Sequence, residues 1–423
     1  MLQVYRCLTY FLFPLFIILI YIRKIFNKED QIRYKEKIFS SHFKAIKSKN
    51  KKLIWFHASS IGECLSILPL IDEINSRNKS IDFLITTVTL SSAKILEDKL
   101  NQYSNVSHRF FPLDVAMLAE KFLIFWKPDL VCFVDSEIWP NFLFKIKEKN
   151  IPLLLINARI TKKTFNKWSI IPSFTKKIFN NFDLCLAASK ESKNNLIKLQ
   201  VKNLKYIGNL KYSAKNLLNK LEDSNKKILD SFKSWCAVST HDGEELIILK
   251  AHLEIKKKYD NILTIIIPRH ITRSAYIKNL SKKYNLNSQI LNNGDLISAN
   301  AEILIINSFG ALVKFFNHCN NVFIGKSFIK KLENNSGQNP IEAAKLGCKI
   351  YHGPYIYNFQ EIYEHLRLHG MAERVNNELE LAEKIAQNFE NSNAIKQQQV
   401  DLLNRYGEKI LKETFFEIDK FLK

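Results

Sequence analysis

The sequence lacks the patterns that mark several protein classes. Its 423 residues include only 11 glycines and 10 prolines, which argues against collagen-like repeats and long disordered linkers. The seven cysteines form no Cys-x-x-Cys pair, and their wide spacing in apolar stretches is typical of reduced, buried thiols and not of disulfides or a zinc site. Neither a Walker loop nor a Gly-x-Gly-x-x-Gly fingerprint is present, so the sequence disfavours a P-loop ATPase and a Rossmann-type dehydrogenase.

Acidic residues are scarce relative to basic ones. The chain has 63 lysines and arginines against 41 acidic residues, a net charge of +22. A phosphate-rich partner would explain this excess, and so would compositional drift, since the lysines are scattered. No basic block is interleaved with aromatic residues, so we expect no nucleic-acid partner. Arg33, Lys35 and Lys37, close to the apolar N-terminus, are instead candidates for attraction to anionic membrane lipids.

The apolar N-terminus predicts a membrane anchor. Residues Cys7–Ile22 carry no charge, as expected of a membrane segment. The run is, however, shorter than the ~20 residues that a spanning helix needs. No small-residue cleavage site follows, and the basic residues lie after the run. The missing cleavage site and the position of the basic residues both disfavour a signal peptide. Because basic residues stay on the cytoplasmic side, they also predict that the following chain is cytoplasmic. We expect an uncleaved anchor over residues 1–28, which either spans the membrane or lies in its inner leaflet.

Apolar strands and helices then alternate in two halves. Strands such as "IPLLLINA" and "ILTIIIPRH" are apolar throughout, which is typical of strands buried on both faces of a parallel sheet. A polar stretch around Ser213–Lys233 interrupts the alternation, so we predict two α/β domains, residues 29–215 and 216–423, that share a cleft. The final helical stretch, Glu378–Lys423, is compatible with packing on either half.

The polar motifs follow strands, where parallel sheets bind their ligands. Ser239–Glu244 and Ser336–Glu342 resemble strand-to-helix junctions whose N–H groups hold anions, and Lys211 and Arg269 can add positive charge. Ordinary N-capping and surface charge would also explain these residues. Glu342 can bind ribose hydroxyls or simply complement a helix dipole. Taken together, the motifs favour a nucleotide-linked donor.

The segment "HASSIGE" holds the candidate catalytic residue. Ser60 and Glu63 have the spacing of a capping box, which is a complete structural explanation for both. A glycine at position 62 makes the first turn of the helix roughly 1 kcal/mol less stable than an alanine would. Its presence therefore suggests that the site needs space beside the backbone. His57 and Ser59 crowd the same strand end. A carboxylate in this position can also take a proton from an attacking hydroxyl, so Glu63 is a candidate for both roles.

The ordered set of motifs resembles the 3-deoxy-D-manno-octulosonic acid (Kdo) transferase family, membrane-bound glycosyltransferases of lipid A assembly. The resemblance rests on the N-terminal anchor followed by "HASSIGE", "SEIWPN", "NARI", "GNLKY", "STHDGEE", "PRH", "GKS", "GQNPIEAA" and "GPYIYNF". It implies an α/β GT-B fold, in which two Rossmann-like domains face each other across a cleft. It further implies an inverting transfer of Kdo from CMP-Kdo to a lipid A precursor (lipid IVA) at the cytoplasmic face of the bacterial inner membrane.

The resemblance also implies roles for single residues. The family's catalytic base falls on Glu63. The acceptor would be held by the first domain, at His57, Ser59, Ser60 and Gly62. The donor-binding positions would be Glu137, Lys211, Arg269, His270, Ser327, Asn339 and Glu342. No cofactor and no metal ligand are implied, because CMP-Kdo is itself a substrate.

The chain departs from the family's usual pattern at three places. Gln338 stands where a histidine is usual, which excludes a charged role at that position. Lys326 replaces the second glycine of a Gly-Gly-Ser turn, and Asn307, before the segment 308–312, replaces an acidic residue. Two rival functions remain: a GT-B enzyme with another nucleotide sugar and a lipid acceptor, and a non-catalytic membrane protein that binds anionic lipid.

Overall fold

The computed structural model describes residues 1–43, 51–214, 221–308, 310, 312–391 and 397–422. The chain divides into two compact units. The first comprises Met1–Lys215 with Tyr406–Lys423, and the second comprises Asn216–Arg405. The boundary predicted at residues 215 and 216 lies outside the described residues.

The first unit contains a seven-stranded sheet in which every strand pair is parallel. In chain order the strands are β1 (Lys52–His57), β2 (Ile81–Thr87), β3 (Val106–Phe110), β4 (Leu130–Val134), β5 (Leu153–Ala158), β6 (Leu184–Ala187) and β7 (Leu204–Tyr206). Their order in space is β3-β2-β1-β4-β5-β6-β7. The strand order reverses at β1, so the carboxyl end of β1 is the point at which such sheets bind ligands.

Helices accompany these strands. They are α1 (Leu2–Phe11), α2 (Phe13–Ile25), α3 (Ile61–Arg77), α4 (Leu90–Leu100), α5 (Ala116–Trp126), α6 (Pro140–Glu148), α7 (Lys162–Trp168), α8 (Pro172–Phe179) and α9 (Lys190–Lys198). Trp55 of β1 is fully buried, with its ring 4.9 Å from Phe122 of α5 and 5.8 Å from Phe142 of α6. Its indole N–H donates to Thr86 Oγ1 at 2.9 Å. An aromatic core with its polar atom satisfied therefore holds β1 in place.

The second unit repeats the plan with another parallel seven-stranded sheet. Its strands are β8 (Lys233–Thr240), β9 (Ile262–Pro268), β10 (Ser288–Leu291), β11 (Ile303–Ile306), β12 (Asn321–Ile324), β13 (Lys349–His352) and β14 (Ala372–Arg374). Their order is β10-β11-β9-β8-β12-β13-β14, with the reversal at β8. The prediction of parallel α/β sheets is confirmed in both halves.

The remaining helices are α10 (Asp223–Asp230), α11 (Glu244–Lys256), α12 (Ser274–Lys283), α13 (Leu312–Phe316), α14 (Ile341–Lys345), α15 (Gln360–Leu368), α16 (Glu378–Asn391) and α17 (Gln397–Asp419). The sequence prediction assigned residues 216–423 to the second domain and left open which half Glu378–Lys423 packs on. The chain from Tyr406 belongs to the first unit. The Tyr406 ring lies 5.1 Å from that of Tyr212, and Lys205 pairs with Glu417 at 2.9 Å. These contacts bind the C-terminus to the first unit.

The N-terminal apolar segment forms a bent pair of helices, where we had predicted a single anchor helix. Pro14 lies in the first turn of α2, where the missing N–H of proline is tolerated at a helix start but not inside a helix. Across the described residues, α1 and α2 have the length and composition of a membrane span only as a pair, bent by 52°, and no single helix has them. The Tyr5 hydroxyl donates to Asp114 Oδ2 at 2.8 Å, which fastens α1 to the first unit.

Candidate active site

Glu63 lies where β1 meets α3, at the reversal point of the first sheet. Ser60 caps α3, and its Oγ accepts the Glu63 N–H at 3.4 Å. The Glu63 carboxylate in turn accepts the N–H groups of Ser60 at 3.4 Å and of Ser59 at 2.8 Å, and the Ser60 hydroxyl at 2.6 Å. The predicted capping box is therefore confirmed. The cap fixes where the carboxylate sits.

The surroundings of Glu63 favour its protonated form. Only 7% of the residue is exposed, and this burial raises the pKa of its carboxyl group. The nearby Asp135 carboxylate raises the pKa further, whereas the Ser60 hydrogen bond and the Lys211 ammonium lower it. Together these effects leave the pKa of Glu63 above that of an ordinary glutamate. A carboxylate with a raised pKa is a stronger base once ionised, as proton abstraction requires.

A second carboxylate, Glu137, is held beside Glu63. It accepts the Ser59 hydroxyl at 2.8 Å and the Trp139 indole N–H at 2.8 Å, and His57 Nε2 lies 3.3 Å away. Burial alone would raise the pKa of Glu137, but these three partners outweigh it and lower the pKa. Glu137 is therefore ionised at neutral pH and shares Ser59 with Glu63.

His57 supports this arrangement from inside the unit. Its side chain is fully buried, its ring stacks on Phe111 at 3.9 Å between centroids, and Nδ1 lies 3.0 Å from Thr86 Oγ1. We had predicted that His57 contacts the acceptor, but the residue has no exposed surface with which to do so. Ser59, Ser60 and Gly62 are partly exposed and remain candidates for that contact.

Lys211 and Asp135 complete the first-unit site. Asn157, at the end of β5, accepts the Leu210 N–H at 2.8 Å and holds the short helical turn Leu210–Ser213 that carries Lys211. Lys211 Nζ donates to Asp135 Oδ2 at 3.0 Å, and both side chains are largely buried. The sequence prediction missed Asp135. The available signal was its place directly after the buried strand β4.

Gly62 lies against Lys211. A Cβ atom at Gly62 would come 3.7 Å from Lys211 Cε, which is an ordinary van der Waals distance. Lys211 and Glu137 were predicted to bind the donor, and the structure places both in the first unit with Glu63. It therefore brings together Glu63, Ser59, Ser60, Gly62, Glu137, Lys211 and Asp135.

In the second unit, basic side chains collect at the ends of β8, β9 and β12. Arg269 and His270 follow β9 and are exposed, and the Arg269 N–H donates to Thr240 O at 3.1 Å. His241 follows β8, and its ring centroid lies 6.2 Å from that of His270. Lys326 follows β12 after Gly325. The predicted donor residues Arg269 and His270 thus lie at the reversal point of the second sheet.

Gly325 allows β8 and β12 to meet closely. A Cβ atom there would come 2.7 Å from Ser239 O and 2.8 Å from Thr240 Cα, closer than side chains approach backbone. The turn that follows is held by Glu244, whose carboxylate accepts four backbone N–H groups. They belong to His241 (2.9 Å), Lys326 (2.7 Å), Ser327 (2.8 Å) and Phe328 (3.0 Å). Of the N–H groups in Ser239–Glu244 that the sequence had suggested for a phosphate, this carboxylate occupies that of His241.

Ser327, another predicted donor residue, is fully buried. Its hydroxyl donates to Ile324 O at 2.7 Å and accepts the Gly353 N–H at 2.9 Å. It therefore joins the ends of β12 and β13 and has no exposed surface for a ligand.

Asn339 and Glu342 lie around the start of α14. Asn339 Oδ1 accepts the Ile341 N–H at 3.2 Å. Glu342 is half-buried, and its burial raises the pKa of its carboxyl group. The helix α14 has only five residues, and the anion site predicted at its start remains a prediction. Phe309 and Ala311, in the segment noted as a departure from the family pattern, lie outside the described residues.

Comparisons with known proteins agree with the resemblance. Residues 33–214 match the family model described as 3-deoxy-D-manno-octulosonic-acid transferase (kdotransferase). The chain is 32% identical to the 3-deoxy-D-manno-octulosonic acid transferase of Rickettsia bellii, over 84% of this chain and 82% of that protein. The chain belongs to the Kdo transferase family. The protein of the same description from Rickettsia prowazekii is 29% identical, over 97% of this chain and 95% of the relative.

As a Kdo transferase the protein is a glycosyltransferase, and the GT-B prediction is confirmed. A solved glycosyltransferase from Rickettsia africae matches with a TM-score of 0.57 at 14% identity, over 88% of this chain and 99% of that one. That likeness shows the fold alone, because one fold serves many reactions. The family match over residues 33–214 spans each first-unit candidate, from His57 to Lys211.

Proposed function

We propose that this Kdo transferase moves Kdo from CMP-Kdo to lipid IVA, the acylated and phosphorylated disaccharide precursor of lipid A, with inversion at the anomeric carbon. The observation that supports this most is the state of Glu63. Its carboxylate is nearly buried, has a raised pKa and is held by two backbone N–H groups and a hydroxyl at the end of β1. A base positioned in this way suits direct proton abstraction from a sugar hydroxyl.

In the proposed step Glu63 removes the proton from an acceptor hydroxyl, and the freed oxygen forms a bond to the anomeric carbon of Kdo. The bond from that carbon to the phosphate oxygen breaks, and its electron pair leaves with CMP. The proton stays on Glu63 until it passes to solvent. A single displacement inverts the configuration. Ser59, Ser60 and Gly62 surround the base and would orient the acceptor sugar.

The donor is proposed to bind through the second unit. Arg269 and His270 offer exposed cationic or hydrogen-bonding groups, and Asn339 with Glu342 would receive the ribose hydroxyls. Glu342 suits this role because its side chain has no ion pair with any other described residue. Lys211 or Arg269 would stabilise the charge on the departing phosphate. The proposal needs no metal, so transfer should persist in the presence of a chelator.

The enzyme is proposed to work on the cytoplasmic face of the bacterial inner membrane. The pair α1–α2 exposes apolar side chains, including Phe11, Ile25 and Phe26, each more than two-thirds exposed. Of the three basic residues considered from the sequence, Lys37 pairs with Glu29 and Arg33 pairs with Glu36 and Glu97. Lys35 remains exposed. Binding to vesicles of anionic phospholipid should weaken with added salt, and salt-independent binding would leave compositional drift as the explanation of the charge.

The test is mass analysis of lipid IVA after incubation with the protein and CMP-Kdo. We expect the lipid to gain the mass of one or more Kdo residues, and the mass gives their number. Parallel incubations replace CMP-Kdo with a UDP-sugar, and a product only in that arm would identify another donor. If neither donor modifies the lipid and CMP does not bind, the donor and acceptor proposed here are wrong.

A further inference from the structure

Asn141 closes the motif "SEIWPN" and has no part in the donor or acceptor contacts considered above. Its side chain is fully buried at the start of α6. The amide Nδ2 donates to the backbone oxygen of Asp114 at 2.6 Å and to Thr9 Oγ1 at 3.2 Å. Thr9 belongs to α1, the first helix of the apolar N-terminus. The motif that carries Glu137 in the candidate site therefore also contacts the N-terminal helix.

The Asp114 carboxylate joins α1 to the start of α6. It lies between β3 and α5 and is only 8% exposed. It accepts the N–H groups of Asn141 at 3.2 Å and Phe142 at 3.0 Å, together with the Tyr5 hydroxyl at 2.8 Å. Burial raises the pKa of Asp114 to about 6, so the group is ionised at neutral pH and these hydrogen bonds are charge-assisted. One carboxylate thus fixes two helices at once.

The start of α6 leads directly to Glu137. Trp139 is the residue before α6, and its indole N–H donates to Glu137 Oε2 at 2.8 Å. Pro140 occupies the first turn of α6, where its ring restricts the backbone. Because Glu137 also accepts the Ser59 hydroxyl at 2.8 Å, a displacement of the start of α6 would reach the neighbour that it shares with Glu63.

Aromatic packing follows the same path. The Phe111 ring lies 4.5 Å from that of Phe142 and 5.6 Å from that of Trp139, and it stacks on His57 at 3.9 Å. Leu2 of α1 packs against the core cluster that contains Phe111 and Phe142. Close-packed side chains transmit a displacement because there are few voids to absorb it. Packing and hydrogen bonds therefore connect α1 to the candidate site within one unit.

We propose that the docking of α1 on the first unit positions Glu137 for transfer, with Asp114 and Asn141 as the positioning residues. The inference rests on the proposed function, in which Glu137 lies beside the base Glu63. The N-terminal helix would then be a structural part of the acceptor side of the enzyme, in addition to its contact with the membrane. Tyr5 provides the charge-assisted part of this docking.

Tyr5→Phe tests the proposal, because it removes one hydroxyl and retains the ring and the apolar face of α1. The assay is transfer at saturating CMP-Kdo and lipid IVA in detergent micelles, where attachment to a bilayer plays no part. We expect kcat to fall about tenfold, as for the loss of one hydrogen bond to a charged group. The Kd for CMP should be unchanged, and the melting temperature should stay within a few degrees of the wild type. Thr9→Val removes the uncharged contact and should lower kcat less.

Tyr10→Phe is the matched control, since Tyr10 lies on the same helix and is 62% exposed. Its kcat should equal that of the wild type. If Tyr5→Phe equals Tyr10→Phe in kcat while the wild type transfers Kdo, the positioning role is refuted and the proposed function stands. A defect confined to the KM for lipid IVA in vesicles would make α1 an anchor alone and would also refute it, as would a loss of transfer that accompanies a collapse in melting temperature. Absence of transfer by the wild type would overturn both proposals.

Discussion

Replacing Glu63 by glutamine separates its two roles, because glutamine can form the same cap. Its amide oxygen can accept the Ser59 N–H in place of the carboxylate oxygen, which now does so at 2.8 Å. Its amide group can donate to Ser60 Oγ, which now donates to the carboxylate at 2.6 Å. Glutamine also occurs at this position of natural capping boxes. What glutamine cannot do at neutral pH is take a proton.

The expected magnitudes differ sharply for activity and stability. Loss of a general base slows the chemical step by about 10²–10⁴-fold, which corresponds to roughly 3–5 kcal/mol of barrier. Loss of a negative charge in the first turn of α3 costs about 0.3–1 kcal/mol. Glutamine also removes the energetic penalty of burying a charged carboxylate at this position, and this gain offsets part of that cost. The free energy of unfolding should therefore change by less than about 1 kcal/mol, or about 2–4 °C in melting temperature.

The assay is the initial rate of CMP release and Kdo transfer, beside a melting curve and a CMP-binding measurement. Glu63→Gln should lose transfer while keeping CMP affinity and melting temperature. Glu73→Gln is the matched control, since Glu73 lies on the same helix and pairs with Arg77 at its surface. Transfer above about a tenth of the wild-type rate would refute the base assignment. A collapse in melting temperature would show that the carboxylate is mainly structural.

Three further predictions concern Asp135, Gly62 and Gly325. Because burial and Asp135 raise the pKa of Glu63, the rate of transfer should fall on acidification at a higher pH than an ordinary glutamate would give. Asp135→Asn removes one raising charge, so the acidic limb of the kcat/KM profile should move to lower pH. A limb that stays in place would contradict the coupling. Gly62→Ala should be neutral or stabilising in a melting experiment, since its Cβ meets only Lys211 Cε at 3.7 Å and alanine favours a helix by about 1 kcal/mol. Gly325→Ala should destabilise by about 1–3 kcal/mol, because its Cβ would lie 2.7 Å from Ser239 O. Equal melting temperatures for the two variants would contradict the packing argument.

The sequence predicted the inner strands of both sheets and missed the outer ones. Strands such as β1 and β5 are buried on both faces and are apolar throughout. The missed strands are β3, β7, β10 and β14, and these four form the edges of the two sheets. Edge strands are short and partly polar, as in "VSHRF" and "AER", so periodicity cannot separate them from loops.

Within the candidate site, the sequence predicted the capping residues but not the burial of two predicted ligand contacts. The Ser60–Glu63 box has a fixed local spacing and was predictable. His57 and Ser327 belong to site motifs, yet the structure buries both side chains completely. The place of Asp135 directly after β4 was a local signal, but its ion pair with Lys211 joins residues 76 positions apart, and no local pattern encodes that pairing. Burial and long-range pairing are properties of the fold that a single sequence does not display.

The clearest case is the pair of Gly-Glu motifs at the two reversal points. Gly62–Glu63 follows β1 and Gly243–Glu244 follows β8, and in each case the carboxylate turns back to accept N–H groups. Burial raises the pKa of both. Glu244 has no exposed surface and is surrounded by four backbone N–H groups of its own unit, so it can only support structure. Glu63 is 7% exposed and lies beside Asp135 and Lys211, which supports its proposed role as the base. The two motifs look alike as sequence, but their surroundings differ: those of Glu244 give it a structural role, and those of Glu63 support the catalytic role proposed for it.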